Sequence, residues 1–218
     1  AFNATGTGAV TGGGTGTDAA LGAGVNRTLT VSTTTAGAKN GMVNVSSTSE
    51  AVANGMFSQS VSVNVLDHAN ASFSSLTDTN TLTLDFGTLA PGASLTQNFA
   101  LANLLATNGF TAGLDLDAIN ATGNTGAFST TLMSFTNAAA GGSQTFGAMF
   151  SALAPGDYAA TYTLLFSDQN LPGATSVGSL QLNVVGRVAA VVPEAGTLSL
   201  LALALPVGAW LTARRRRG

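Results

Sequence analysis

The chain has one histidine, His68, in the run Asp67-His68-Ala69-Asn70-Ala71-Ser72. An imidazole flanked by a carboxylate and a hydroxyl has the composition of a hydrolytic relay, in which Asp orients His and His takes a proton from Ser. Serine is abundant here, however, and no Gly-x-Ser-x-Gly elbow presents one of them as a nucleophile. His68 therefore reads as a strand-to-loop junction in which Asp67 and Asn70 bond nearby backbone. No catalytic residue is assigned, and the chain is expected not to be an enzyme.

Asp115, Asp117, Asn120 and Asn124 offer the oxygen atoms that Ca²⁺ takes. Ala118 and Ile119 interrupt the oxygens, and no glutamate closes the would-be loop. Asp115 and Asp117 alternate with Leu114 and Leu116, which marks them as the solvent face of a strand. Asp157, Asp168 and Asn170 read as turn residues bracketing a strand pair. Gly12-Gly13-Gly14 lacks the Gly-Lys-Ser/Thr end of a phosphate loop. Asn-x-Ser/Thr occurs at Asn3, Asn26, Asn44, Asn70 and Asn120, as expected by chance in this composition. No metal and no cofactor are assigned.

The elements that carry these residues are strands. Val61, Val63 and Val65 alternate with polar residues, as do Leu82, Leu84 and Phe86, and later Leu180, Leu182 and Val184. Leu95, Phe99 and Leu101 share one parity, and Tyr158, Tyr162, Leu164 and Phe166 share another face, read as the core face. A period of two over short runs marks half-buried strands. Turn signals separate them at Ala90-Pro91-Gly92, Thr107-Asn108-Gly109, Gly141-Gly142, Ala154-Pro155-Gly156-Asp157 and Leu171-Pro172-Gly173. This pattern predicts an antiparallel all-β sandwich or barrel. The first 75 residues are rich in glycine and threonine, with strands expected at 28–34, 41–48 and 59–66. They read as a smaller sandwich or as the end of an upstream repeat.

Charged residues make up only 8% of the chain. Before the tail, Arg27, Lys39 and Arg187 stand against nine acidic residues. Nucleic-acid binding needs a basic stripe, and none exists. There is no cysteine, so neither disulfides nor thiolate metal sites are available. Exposed aromatics of the kind that bind sugars are scarce, with one Trp and two Tyr.

The C-terminus carries the most information. Val192-Pro193-Glu194-Ala195 precedes an apolar run containing Leu198, Leu200, Leu201, Leu203, Leu205, Trp210 and Leu211, and Arg214-Arg215-Arg216-Arg217 follow. Roughly 20 residues of helix cross a bilayer core, and Thr197 to Ala213 spans it if the arginines snorkel. Trp210 suits the headgroup layer, and four arginines favour a cytoplasmic end. Everything upstream then lies outside the cytoplasm, in contact with membrane lipid only through the tail.

This order of motif, apolar helix and basic cluster resembles the PEP-CTERM sorting signal of Gram-negative bacteria, over Val192 to Arg217. Ala195 stands where that signal has its second proline. The resemblance implies processing near Pro193-Glu194 by an exosortase, a membrane transpeptidase that supplies the catalytic residues itself. It also implies export, so a signal segment is expected upstream of Ala1. The expected residence is the inner membrane in transit, then the cell surface or extracellular matrix, with exopolysaccharide as a candidate partner. A glycan-binding or adhesive module is the alternative.

The stretch from Leu84 to Phe99, LDFGTLAPGASLTQNF, resembles the opening of immunoglobulin-like modules of the ASPM/SPD-2/Hydin type. Gly141 to Phe146 and Ala154 to Tyr162 resemble their second half. The implied organisation is a Gly/Thr-rich β region over 1–75, an immunoglobulin-like β-sandwich over 76–189, and the sorting signal with its hydrophobic helix over 190–218.

Overall fold

The computed structural model describes residues 1–18, 22–49, 53–152 and 154–190. The expected C-terminal helix, and with it every residue from Val192 to Arg217, lies outside the described residues. Within them the fold is all-β, broken only by a short 3-10 turn at Thr125–Ala127.

The first sheet holds five strands: β1 (Phe2–Gly8), β2 (Val10–Gly16), β3 (Leu29–Val31), β4 (Gly37–Ser47) and β5 (Met56–Val65), in the order β3-β2-β1-β4-β5. All neighbours are antiparallel. The expected strands at 28–34, 41–48 and 59–66 correspond to β3, β4 and β5. β1 and β2 were not foreseen, because FNATGTG and VTGGGTG have too few apolar side chains to show a period.

The remaining strands form two facing sheets. One is β10 (Phe128–Thr130), β12 (Ser143–Ser151), β8 (Ser94–Asn103) and β6 (Ala71–Ser72), in that order. The other is β11 (Phe135–Ala138), β9 (Leu114–Gly123), β13 (Gly156–Asp168), β14 (Ser176–Val188) and β7 (Thr81–Leu89). From β7 to β13 each connection crosses from one sheet to the other, and only β13–β14 is a hairpin. β7 pairs in parallel with β14. Residues 71–72 pair with β8, so this body takes in residues that precede position 76.

The alternation seen in sequence becomes the core. Leu84, Phe86, Phe99, Leu101, Leu114, Leu116, Leu164, Phe166, Leu180, Leu182 and Val184 come from both sheets and form one buried cluster. Phe86, Phe128 and Phe150 pack as an aromatic centre, with Phe128 and Phe150 stacked at 4.9 Å. Such rings add about 1 kcal/mol per pair beyond their buried area. β9 changes parity after Leu116 because a bulge opposite Leu165 and Phe166 shifts its register. Leu95 shares the parity of Phe99 and Leu101 but lies exposed.

Candidate functional site

β13 ends at Asp168, which has the same parity as the buried Tyr162, Leu164 and Phe166. Its carboxylate therefore points inward and is only 5% exposed. Three donors meet it: the His68 ring at 2.6 Å, the Ala69 N–H at 2.8 Å and the Thr175 N–H at 3.2 Å. An ionised carboxylate only accepts, so the His68 nitrogen that faces it, Nδ1, carries the proton. Burial pushes the Asp168 carboxyl up; the bonds from His68, Ala69 and Thr175 and the charge of His68 outweigh that and hold it below its ordinary value.

The segment around His68 is fixed on both sides. The Asp67 carboxylate accepts the Thr107 hydroxyl, and the Asp67 backbone bonds Phe110 and Ala112. Asn103 lies at the end of β8 with the parity of Phe99 and Leu101, and is 1% exposed. Its side chain accepts the Asn70 N–H at 3.1 Å and donates to the carbonyls of Ala112 and Ala138 at 2.9 and 3.1 Å. Ser72, also buried, donates to the Thr77 carbonyl and accepts the N–H groups of Ser74 and Thr79. Buried polar groups of this kind are satisfied because leaving one unpaired costs about 1–3 kcal/mol.

The structure departs from the sequence expectations at three places. Asp67 and Asn70 do not serve nearby backbone: Asp67 reaches Thr107, and Asn70 bonds Asn103 and Asp78. Asp168 does bond the turn that follows it, at Thr175, but it is chiefly the buried partner of His68. A carboxylate on the buried parity of a strand was the signal, and Asn103 carried the same signal on β8. Tyr158 is half-buried against Phe150 rather than in the core, and its hydroxyl donates to the Ala154 carbonyl.

The His68–Asp168 pair supplies two parts of a proton relay. The ring is 65% exposed, with Nδ1 on the Asp168 carboxylate. Among the described residues no hydroxyl is hydrogen-bonded to the ring. Asp115 instead accepts the Asn137 N–H at 2.6 Å, Asp117 accepts the Ser167 hydroxyl at 3.0 Å, and Asn124 accepts the Ala159 N–H at 3.1 Å. Asn120 lies exposed. No group of three or more potential metal-ligating side chains occurs among the described residues.

A shallow, open concavity lies elsewhere on the sandwich. It is lined by Asp85, Gly87, Asn124, Asp157, Tyr158 and Arg187. Arg187 and Asp157 face each other across strands β14 and β13 at 3.6 Å, both largely exposed. The lining of the concavity mixes these charged and amide groups with apolar surface that includes Ala159 and Val185, and Tyr158 is its single aromatic side chain.

No family model matches this chain, and no curated protein matches it. Solved structures do. The ASH / PapD-like domain 7 of human CEP192 shares 16% identity over 50% of this chain and 82% of that one, with a TM-score of 0.38. WR4, an MSP family member of C. elegans, shares 9% identity over 54% of this chain and 96% of that one, with a TM-score of 0.33. The S-layer protein rSbsC shares 14% identity over 88% of this chain but only 20% of that one, with a TM-score of 0.27. At these values the likeness says nothing about activity.

Proposed function

We propose that this chain is a non-enzymatic envelope protein of a Gram-negative-type bacterium. It is exported, held in the inner membrane by residues 192–217, and processed near Pro193-Glu194 by an exosortase-type transpeptidase. The β-sandwich body, immunoglobulin-like in organisation, then serves as a structural component of the surface or matrix beside exopolysaccharide. The observation that carries this reading is the order Val192-Pro193-Glu194-Ala195, apolar run, four arginines. The attachment point supports it: β14 ends at Val188, directly before the tail, and is flanked there by β13 on one side and, from Gln181 onward, by β7 on the other. A body tethered there is held through a strand paired on both sides.

Deletion of residues 193–218 tests the tether. The truncated body should leave the membrane fraction for the soluble exported one, and unchanged fractionation would overturn the reading. Intact-mass spectrometry of protein recovered from its native envelope tests the processing step. A new C-terminus near Pro193-Glu194 is expected. An intact Arg214–Arg217 end would leave a plain anchor and remove the transpeptidase.

The open depression that sets Tyr158 beside Asp85, Asp157 and Arg187 favours one second reading, a glycan-binding or adhesive module. Polysaccharide pull-down by the full chain, lost on Asp157→Ala with folding intact, would select it over a purely structural role.

A further inference from the structure

The sheet edges of this protein are treated unequally. In the sandwich, β6 and β10 are two and three residues long, and β11 has four residues and a register shift. β7 is longer, but it too breaks register, and Gln97 donates to its Asp85 carbonyl at 2.7 Å. In the first sheet β3 has three residues. Short strands, bulges and capped carbonyls are the usual means of blunting an edge. β5 is neither short nor bulged, and its one capped carbonyl, that of Ser60, is held only by the adjacent Gln59 side chain. It is ten residues long, pairs with β4 without a shift, and contains no charge and no proline in MFSQSVSVNV.

The hydrogen-bond phase of this edge can be read off. The Gly55 carbonyl accepts the Ser47 N–H at 2.6 Å, so position 55 is turned toward β4. Backbone groups alternate in direction along an antiparallel strand. Phe57, Gln59, Val61, Val63 and Val65 are therefore bonded inward to β4. Met56, Ser58, Ser60, Ser62 and Asn64 present N–H and C=O to the edge that no strand pairs among the described residues, and all five are exposed. Ser60 has one local contact there, its carbonyl taken by the Gln59 side-chain amide at 3.1 Å, which an incoming strand displaces.

We infer that this edge is an assembly surface, and that its occupant is the β5 strand of a second copy of this chain, paired antiparallel about a two-fold axis through Ser60. The pattern selects both partner and register. An isologous interface requires a surface complementary to itself, and a strand without charge meets no like charge in any register. With Ser60 opposite Ser60, the five outward residues of each copy face one another: Ser58 opposite Ser62 and Met56 opposite Asn64. Each donates and accepts once, so all ten outward N–H groups of the two strands are paired. Moving the axis to Val61 leaves Met56 without a partner inside the strand.

The side chains agree with this register. On the inward-bonded positions it sets Phe57 directly opposite Val63, the two most exposed apolar side chains of that face at 59% and 42%. These are non-hydrogen-bonded pairs, where side chains approach most closely. The other face carries Ser58 and Ser62, already bonded to Asn44 and Asn40 within the sheet. Pairing thus joins two five-stranded sheets into one of ten strands. This inference does not rest on the sorting tail.

The absence of cysteine makes a direct test available. Full-length chain in detergent micelles is compared as Ser60→Cys, Val61→Cys and Thr96→Cys, the last on an exposed position of β8. Hydrogen-bonded antiparallel pairs hold Cα atoms about 5.5 Å apart, within disulfide range. Mild oxidation should give a reducible dimer as the dominant product of Ser60→Cys and only background dimer from Thr96→Cys. Adding Val63→Lys to Ser60→Cys should abolish the dimer while the far-UV circular dichroism keeps its β signature. Three results would overturn the assignment: equal crosslinking at positions 60 and 96, a Ser60→Cys dimer unaffected by Val63→Lys, or a crosslink to a different protein. Stronger crosslinking at Val61→Cys would move the two-fold and overturn the Ser60 register.

Discussion

In the sandwich, Phe150, Leu164, Phe166 and Val184 lie at 0–1% exposure between two sheets. In the first sheet only Ala4 and Val10 are buried among the described apolar residues, while Met56 and Phe57 are 83% and 59% exposed. Both regions have long, regularly paired strands. The difference lies in the second layer. A sheet gains most of its stability by burying a face against another element, and among the described residues the strands of the first sheet make extended contacts only with one another. Hydrogen-bonded pairing alone builds the strands but contributes little net stability.

The comparison is broken most directly by removing one large ring from each region. Phe150→Ala takes away a side chain in contact with Phe86, Phe128 and Tyr158. It should destabilise the sandwich by about 4 kcal/mol, from lost burial and the cavity left behind. Phe57→Ala should cost no more than about 1 kcal/mol, the scale of one cross-strand pair on an uncovered face. Denaturant unfolding of the two variants checks this, and equal losses would mean the first sheet has a covered face.

A smaller loss tests the polar clamp that closes one end of the sandwich. Asp168→Ala leaves the Ala69 and Thr175 N–H groups without their acceptor and should cost about 3 kcal/mol. His68→Ala should cost about 1 kcal/mol or less, because that side chain is largely exposed. The pH dependence has a fixed sign. Asp168 is held below its ordinary value in the folded protein, so its contribution is complete above the unfolded carboxylate value of about 3.9. It is lost as pH falls from there through the folded value. Asp168→Asn should flatten that acid limb of the stability curve, measured by urea midpoints across pH.

How much of this was legible depended on side chains. β13 and β14 were readable because Leu164, Phe166, Leu180, Leu182 and Val184 repeat every second residue and do face the core. β1 and β2 were not, because glycine and threonine carry no such period and the pairing is made by backbone. Val61, Val63 and Val65 show the opposite failure. Their alternation is as clear as that of β14, yet Val63 is 42% exposed, since a period of two marks a face without saying whether anything covers it. The clamp was half visible. Asp168 and Asn103 stand on buried parity in sequence, but their partners lie 100 and 33 residues away, at His68 and Asn70. No local rule reaches that far.

A further effect is confined to the first sheet. Gly13 sits in β2 opposite Thr5 with φ near +118°, and a Cβ there would run into the Ala4 carbonyl oxygen. That conformation is open to glycine and strained for other residues. Gly13→Ala should therefore cost about 1–2 kcal/mol locally, and the strain cannot be relieved without separating β1 from β2. Hydrogen exchange should quicken at β1, β2 and β3, while the amides of β13 and β14 keep their wild-type protection. That outcome would make the first sheet a separate cooperative unit. Loss of protection spreading into β13 would instead tie the two regions into one transition, and the contrast drawn from their cores would no longer hold.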